Sequence, residues 1–330
     1  MKFLIAGLGS IGRRHLHNLI TLGEKDILLF RTHQSTIPDD DLKSFPVETD
    51  LKLALAQKPD AVIISNPTSI HLDVALPASE AGCHLFLEKP VSHSVESLDV
   101  LRANMLQHSK QTLVGFQFRF HPVLMQIKAL LDSDEIGQPL SVHAHWGEYL
   151  PGWHPWEDYR KAYAARSDLG GGVVLTLCHP FDYLRWLVGE VESLSAIAGS
   201  VSNLELGVED LAEVILSFKN GCIGSVHLDY LQRPKAHWME ITTSHGFIRW
   251  QNASGAAEVY HVSSDKWERI NPPSGFERND LFLAEMAHFL SVVQGVEKPR
   301  CSLEDGERAL KIALAVYESA AKRNQLVQLS

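Results

Sequence analysis

A glycine-rich turn near the start of the chain constrains its fold more than any other feature. The turn is Gly7-Leu8-Gly9-Ser10-Ile11-Gly12; it follows the apolar run Phe3–Ala6 and precedes a stretch of helical composition. Between a strand and a helix, the first glycine permits a tight turn, the second lets the backbone approach a pyrophosphate, and the third lets helix and strand pack closely. Free N–H groups at the helix start then face the phosphates. The sequence therefore predicts a dinucleotide-binding loop in which all six residues of the turn contact the cofactor.

The first third of the chain continues with the strand–helix alternation of a doubly wound parallel sheet. Short apolar runs predict strands buried on both faces at Phe3–Ala6, Ile27–Phe30, Ala61–Ile64, His84–Leu87 and Thr112–Gly115. Helices are predicted between them at Arg13–Leu22, Leu51–Gln57, Ile70–Ala81 and Val95–Gln107. We therefore expect a Rossmann domain over residues 1–120.

Residues 121–330 predict an α+β domain with one large, mostly antiparallel open sheet. Strand-like runs flank two hairpin turns, Lys219-Asn220-Gly221 and Ser244-His245-Gly246. Helices are predicted at Val123–Leu131, Cys178–Val188, Asp280–Val293 and Leu303–Lys322, with Ser302 as the cap of the last one. The expected fold class is α/β: an N-terminal Rossmann domain joined to an α+β domain for substrate binding and oligomerisation. The last helices are candidates for packing back on the first domain.

Composition disfavours several classes of function. The 330 residues include 40 Asp and Glu but only 30 Lys and Arg, so the formal net charge is −10. A negative charge of this size argues against nucleic acid or an anionic membrane as a partner. No apolar run approaches the roughly 18 residues of a membrane span. Four cysteines without paired spacing favour reduced thiols and a cytoplasmic location. His143 and His145 alternate on one strand, but two histidines alone are a weak ligand set, and we assign no metal.

The end of the second predicted strand bears on which dinucleotide binds. An acidic residue about 20 positions beyond the glycines would bind the ribose 2′-hydroxyl of NAD. The segment Phe30-Arg31-Thr32-His33 holds no carboxylate. Arg31 can instead pair with a 2′-phosphate, and Thr32 can donate to it. The sequence therefore favours NADP(H) slightly over NAD(H), with Arg31 and Thr32 as cofactor contacts.

Two further motifs carry a family resemblance. They are Asn66-Pro67-Thr68-Ser69-Ile70-His71 and the segment Glu80–Pro90, which ends in Glu88-Lys89-Pro90. With the glycine turn, they resemble the Gfo/Idh/MocA oxidoreductases, named for glucose–fructose oxidoreductase and inositol dehydrogenase, over nearly the whole chain. The resemblance implies a Lys-Pro bond that is often cis, and it implies cofactor contacts at Asn66, Pro67, Thr68, His71, Glu88 and Lys89. Just past a strand's carboxyl end, Lys89 is also positioned to stabilise a developing alkoxide as a catalytic residue.

A second group of candidate residues lies in the later domain. The segment Leu169–Tyr183 resembles the family's glycine-rich stretch and following helix, in which His179 and Asp182 stand at i and i+3 on one face. An imidazole titrates near neutral pH, so His179 is the candidate general acid/base. Many family members place an aspartate four residues before this histidine. Here that position is Leu175, and either Thr176 or Asp182 replaces the aspartate.

Further substrate contacts are predicted around these motifs. The aromatic segment Trp153–Tyr163 suits sugar recognition, because ring faces cover C–H groups while polar groups bind hydroxyls. Anchoring of a loop to the core explains the same segment equally well. The predicted substrate-binding residues are Thr176, Asp182, Gln117, Trp156 and Tyr163.

The resemblance implies an NAD(P)-dependent oxidoreductase that moves a hydride between nicotinamide C4 and a carbinol or carbonyl carbon of a sugar, sugar derivative or cyclitol. Two alternatives stay open. One is a reductase of a dihydrodiol or linear tetrapyrrole, and the other is a dinucleotide-binding sensor without turnover, which the missing aspartate favours. Family members commonly pair through the broad sheet, so we expect a homodimer or homotetramer through the C-terminal sheet.

Overall fold

The chain forms two compact units, each built around one β-sheet. The computed structural model describes residues 1–31, 42–154 and 157–329. The first unit lies within Met1–Phe120 and Glu277–Glu307. The second lies within His121–Phe276 and the residues from Arg308 onward. The chain therefore leaves the first unit after Phe120, returns to it at Glu277, and leaves it again after Glu307, within the last helix.

A six-stranded parallel sheet is the centre of the first unit. Its strands are β1 (Lys2–Ala6), β2 (Asp26–Phe30), β3 (Val47–Glu48), β4 (Ala61–Ile64), β5 (His84–Leu87) and β6 (Thr112–Val114), in spatial order β3-β2-β1-β4-β5-β6. The helices between them are α1 (Ser10–Thr21), α2 (Leu51–Ala56), α3 (His71–Glu80) and α4 (Leu98–Gln107). Every residue of β4 is buried, as in a parallel strand covered on both faces. The strand order reverses between β1 and β4, and such a switch point is where doubly wound sheets bind ligands.

The second unit is built on a nine-stranded sheet. After α5 (Pro122–Asp132) come β7 (Pro139–Gly147), α6 (Val173–Thr176), α7 (His179–Val188), β8 (Val191–Gly199), β9 (Leu211–Phe218), β10 (Ile223–Asp229), β11 (Ala236–Thr243), β12 (Gly246–Gln251), β13 (Ala257–His261) and β14 (Lys266–Ile270). The chain then forms α8 (Arg278–Val293), α9 (Leu303–Ala321) and β15 (Val327–Gln328). The spatial order of the sheet is β14-β13-β12-β11-β7-β10-β9-β8-β15. Among these strands β7 and β10 pair in parallel, and the other neighbours pair antiparallel.

The two faces of this sheet differ sharply, as strand alternation requires. Along β9, the side chains of Val214 and Leu216 are buried, whereas those of Glu213 and Ile215 are exposed. On the buried face, the ring of Trp146 in β7 stacks on that of His179, the first residue of α7. We call the opposite face, with Glu213 and Ile215, the open face.

Helix α8 belongs to the first unit and packs beside α1. The guanidinium of Arg14 lies 4.6 Å from the centre of the Phe282 ring, and Asn279 Nδ2 donates to Asn18 Oδ1 at 3.0 Å. At the start of α9, the N–H of Asp305 donates to Ser302 Oγ at 3.2 Å, which confirms the predicted cap.

The predicted fold class is confirmed, with a parallel doubly wound sheet in one unit and a large, mostly antiparallel sheet in the other. Both predicted hairpins are present, as β9–β10 and β11–β12. Four strands were not predicted: β3, β8, β14 and β15. Strand β14 shows why, because four of its five residues are exposed at a sheet edge and carry no apolar alternation. Among the described helices, none combines the length and apolar character that crossing a lipid bilayer requires.

Two neighbouring positions in α1 test which face of this helix is buried. Leu19 is 0% exposed and Ile20 is 43% exposed. We expect Leu19→Ala to lower the free energy of unfolding by about 2–5 kcal/mol, because it leaves a cavity in the core. We expect Ile20→Ala to change it by less than about 0.5 kcal/mol. Urea unfolding followed by circular dichroism measures both; equal losses would contradict this packing of α1.

Candidate functional site

Four predicted cofactor-binding segments follow the carboxyl ends of neighbouring strands in the first unit. The glycine turn follows β1, Arg31 follows β2, the segment starting at Asn66 follows β4, and Glu88 and Lys89 follow β5. These four strands are adjacent and parallel, so their carboxyl ends meet at one edge of the sheet. The fold therefore brings segments that are far apart in sequence to a single edge.

The three glycines of the turn have different surroundings. Gly7 has a φ of +91°, and a Cβ there would lie 2.3 Å from the backbone nitrogen of Asn66. A Cβ on Gly12 would lie 1.9 Å from the carbonyl oxygen of Gly7. At Gly9, by contrast, an added Cβ would have no atom of the described chain within 4 Å other than those of Gly9 and its immediate neighbours. Gly7 and Gly12 thus allow close packing, while Gly9 leaves open space beside the first N–H groups of α1. This arrangement fits a dinucleotide pyrophosphate.

Hydrogen bonds tie the glycine turn to the segment after β4. The hydroxyl of Ser65 donates to the carbonyl of Gly7 at 2.8 Å. The side-chain amide of Asn66 donates to the carbonyl of Ile70 at 2.8 Å, and Nε2 of His71 donates to the carbonyl of Asn66 at 2.9 Å. Burial lowers the pKa of His71, so its ring is neutral near pH 7. The segment is therefore held as one rigid turn against the glycine loop.

Glu88 is held in place from two sides. Its Oε1 atom lies 2.7 Å from Nε2 of buried His15 on α1, and its Oε2 atom accepts the backbone N–H of Lys89 at 3.2 Å. Burial opposes the charge on Glu88, but the hydrogen bond and charge of His15, with Lys89, hold its pKa below the ordinary value. The Lys89–Pro90 bond is cis, as the resemblance implied. His15 was missed by sequence reasoning, although it lies on the buried face of a predicted helix.

The second unit has its own close-packed glycine segment, ahead of α6. A Cβ on Gly171 would lie 2.3 Å from the carbonyl oxygen of Tyr163, and one on Gly172 would lie 2.3 Å from Oε1 of Glu209. That same oxygen accepts the N–H of Val174 at 3.1 Å and the hydroxyl of Tyr317 at 2.9 Å. Burial raises the pKa of Glu209. A partly buried carboxyl group therefore holds the start of α6.

His179 begins α7 and is 2% exposed. The indole ring of Trp146 stacks on its imidazole, with ring centres 5.3 Å apart and planes 22° apart. Trp146 is itself held by a hydrogen bond from its Nε1 to Oε1 of Glu148 at 3.0 Å. Asp182, three residues along the helix, is also buried. Sequence reasoning missed Trp146, which the alternation of β7 places on the buried face.

The remaining predicted site residues differ in how deeply they are buried and in which unit they lie. Leu175 and Thr176 are both buried. Nearby, the phenol of Tyr230, whose pKa burial raises well above the ordinary value, donates to the carbonyl of Ala164 at 3.3 Å. Tyr163 is 40% exposed in a short turn of the second unit. Gln117 is buried in a 3-10 turn of the first unit. Thr32 and Trp156 lie outside the described residues.

Comparison with known proteins gives matches over both units. The oxidoreductase family with an NAD-binding Rossmann fold matches residues 1–116, and the GFO/IDH/MocA C-terminal domain matches residues 124–249. Myo-inositol 2-dehydrogenase of Thermotoga maritima is 27% identical over 99% of this chain and 98% of its own length. The scyllo-inositol 2-dehydrogenase (NAD(+)) of Bacillus subtilis is 26% identical over 97% and 94%.

A solved structure is similar over the same span. Levoglucosan dehydrogenase in complex with NADH and levoglucosan superimposes with a TM-score of 0.88 at 18% identity, covering 99% of both chains. At this level of identity, the likeness shows a shared fold. The two matched domains together account for most of the chain. The chain therefore belongs to the Gfo/Idh/MocA family of oxidoreductases and has that family's NAD-binding Rossmann domain.

Proposed function

We propose that this oxidoreductase transfers a hydride between a nicotinamide cofactor and a CH–OH or carbonyl carbon of a sugar, sugar derivative or cyclitol. The observation that carries the proposal is the meeting of the glycine turn, the Asn66–His71 segment and Lys89 at one edge of the parallel sheet. The names of relatives add support, since they are inositol and levoglucosan dehydrogenases. A bound nicotinamide would supply the hydride-accepting or hydride-donating carbon.

The proposed roles of the protein's own residues follow from their chemistry. Lys89 donates a hydrogen bond to the substrate oxygen and stabilises the negative charge that develops on it as hydride moves. Its backbone is fixed by the bond to Glu88, which His15 holds in turn. His179 exchanges a proton with the hydroxyl or carbonyl group of the substrate. Trp146 acts as a positioning residue, because stacking restricts the rotation of the His179 ring.

We assign the orienting carboxylate of the proton exchange to Asp182 rather than to Thr176. The hydroxyl of Thr176 carries no charge, so it cannot stabilise an imidazolium as a carboxylate does. Asp182 is 1% exposed and stands on the same face of α7 as His179, one turn further along. A carboxylate in the first turn also interacts favourably with the helix dipole.

We further propose NADP(H) as the preferred cofactor. Arg31 follows directly on β2, where its backbone N–H donates to the carbonyl of Glu48 at 3.0 Å. A guanidinium at this strand end can pair with a 2′-phosphate through two parallel hydrogen bonds. The relative from Bacillus subtilis has NAD(+) in its name, so an NADP(H) preference would distinguish this chain from it.

We assign substrate binding and oligomerisation to residues 121–330. We also propose that the protein is located in the cytoplasm, which is reducing. All four cysteines are buried thiols rather than halves of disulfides, which suits a reducing compartment. On the open face, Ile197, Ile215 and Ile223 are each more than half exposed. Apolar side chains on a broad sheet face favour pairing with a second copy.

Replacement of the two proposed catalytic residues tests the reaction. We expect Lys89→Met and His179→Ala each to lower kcat by about 10²–10⁴-fold on whichever polyol or keto-sugar the wild type turns over, because each removes one proton-transfer or charge-stabilising group. Nicotinamide absorbance measures turnover with NADPH and NADH in both directions, on a panel of sugars and cyclitols. Cofactor affinity should survive His179→Ala.

The matched controls are Lys52→Met and His261→Ala, which remove the same side-chain types at other positions of the same units. Both should keep wild-type kcat. Cofactor binding by the wild type without turnover on any substrate would favour a sensor and contradict the proposed reaction. Unchanged kcat in Lys89→Met and His179→Ala, with the reaction present, would contradict only the residue roles.

Arg31→Ala tests the cofactor preference. Loss of charge-assisted bonds to a 2′-phosphate should raise the Kd for NADPH about 10- to 100-fold. The Kd for NADH, which lacks that phosphate, should stay near its wild-type value. Fluorescence titration of each nucleotide measures both constants. If the Kd values for NADPH and NADH rose equally, Arg31 would have a structural role, and the proposed preference for NADP(H) would lose its support.

Ile215→Lys tests pairing through the open face. We expect the wild type to have the mass of a dimer or tetramer by light scattering at micromolar concentration. The lysine would place a charge in the apolar contact and shift the mass toward a single chain. Ile20→Lys, at an exposed apolar position of the first unit, is the control and should not change the mass. A wild-type monomer would contradict the pairing.

A further inference from the structure

A row of polar and aromatic side chains crosses the open face of the nine-stranded sheet. By strand register, Glu213 of β9 lies beside His227 of β10, His227 beside His145 of β7, and His145 beside Trp238 of β11. The rings of His145 and His227 stack 4.5 Å apart, and the ring of Trp238 stacks on His145 at 5.3 Å. The parallel pairing of β7 with β10 is what brings the two histidines together.

A buried carboxylate completes this cluster. Asp229 lies two residues beyond His227, and its Oδ2 atom is 2.8 Å from Nε2 of that histidine. Its register partner on β7 is Gly147, where a Cβ would lie 2.3 Å from the same Oδ2 atom. The other carboxylate oxygen accepts the N–H groups of Leu231 and Gln232 at 2.6 and 2.7 Å. Only a glycine at 147 leaves room for this carboxylate beside the histidines.

We propose that His145, His227 and Asp229 form a binding site for a divalent transition-metal ion of the zinc class. One nitrogen of each imidazole and one oxygen of the carboxylate all lie within 4.8 Å of one another. Two imidazoles and a carboxylate are a donor set that such ions favour, and three protein ligands leave a further position for water or another ligand. The site is separate from the residues to which we assign hydride transfer.

The surroundings of the cluster match those of metal sites. Nδ1 of His227 is hydrogen-bonded to the carboxylate of Glu213 at 2.5 Å, and its Nε2 atom faces Asp229. In metal sites, a carboxylate commonly orients a ligand histidine in this way, so that the other ring nitrogen binds the ion.

Metal binding would require one local movement. The two imidazole planes are 11° apart, and Nε2 of His145 lies 2.5 Å from Oε1 of Gln232. An ion in the plane of both rings requires one ring to turn about its Cβ–Cγ bond. The stack of His145 on Trp238 changes if that ring is His145, and the indole fluorescence would then report binding.

Equilibrium dialysis of the EDTA-treated full chain against Zn²⁺ tests the site. We expect one zinc ion bound per chain. His227→Gln or Asp229→Asn should remove that binding, and Glu213→Gln should weaken it about 10- to 100-fold, because Glu213 only orients a ligand. Mg²⁺ should not bind, since it prefers oxygen ligands. His143→Ala, on the same strand and face as His145, is the control and should bind zinc like the wild type.

Crystals of the wild type soaked in Zn²⁺ provide a second measurement that does not depend on how the variants fold. An anomalous peak between His145, His227 and Asp229 at the zinc absorption edge would support the site. A peak elsewhere, the absence of any peak, or zinc binding that Asp229→Asn leaves unchanged would overturn it.

Discussion

The close packing of the glycine turn against the end of β4 is the contact on which the first unit's site depends. Because no side chain fits at Gly7 or Gly12, the start of α1 lies directly on the sheet edge. That position of α1 brings His15, three residues after Gly12, within 2.7 Å of Glu88. Glu88 in turn accepts the N–H of Lys89. A substitution in the turn would therefore disturb Lys89 as well as the phosphate-binding groups.

Glycine packing also positions a helix in the second unit, but there the glycine packs against a side chain rather than against backbone atoms. Gly172 leaves room for the carboxyl group of Glu209, which accepts the N–H of Val174 at the start of α6. Helix α7 begins shortly after α6 ends, and its first residue is His179. Trp146 on β7 then fixes the ring of that histidine by stacking. In both units, glycine packing determines where a helix begins, and contacts near that helix start position the candidate residue.

The sequence predicted local structure well and contacts between distant segments poorly. Strands such as β4 were predictable because burial on both faces requires a continuous apolar run, and the β9–β10 hairpin was predictable from Asn220-Gly221. The pairs His15–Glu88 and Trp146–His179 were missed because each joins segments that only the folded chain brings together. The same holds for the histidines of the open face. His145 was noted only with His143 of its own strand, since a parallel pairing of β7 with β10 leaves no turn signal in the sequence.

The departure at Leu175 changes the electrostatics of the proposed proton exchange. A buried leucine at this position means that the charge beside His179 must come from elsewhere, and Thr176 brings none. Asp182 lies on α7 itself, so helix geometry rather than loop conformation fixes its separation from His179. A carboxylate buried this deeply must be paired or hydrogen-bonded to stay charged, and a protonated imidazole is a suitable partner. Asp182 would then stabilise the imidazolium form of His179, the form that returns a proton to the substrate oxygen in the reductive direction.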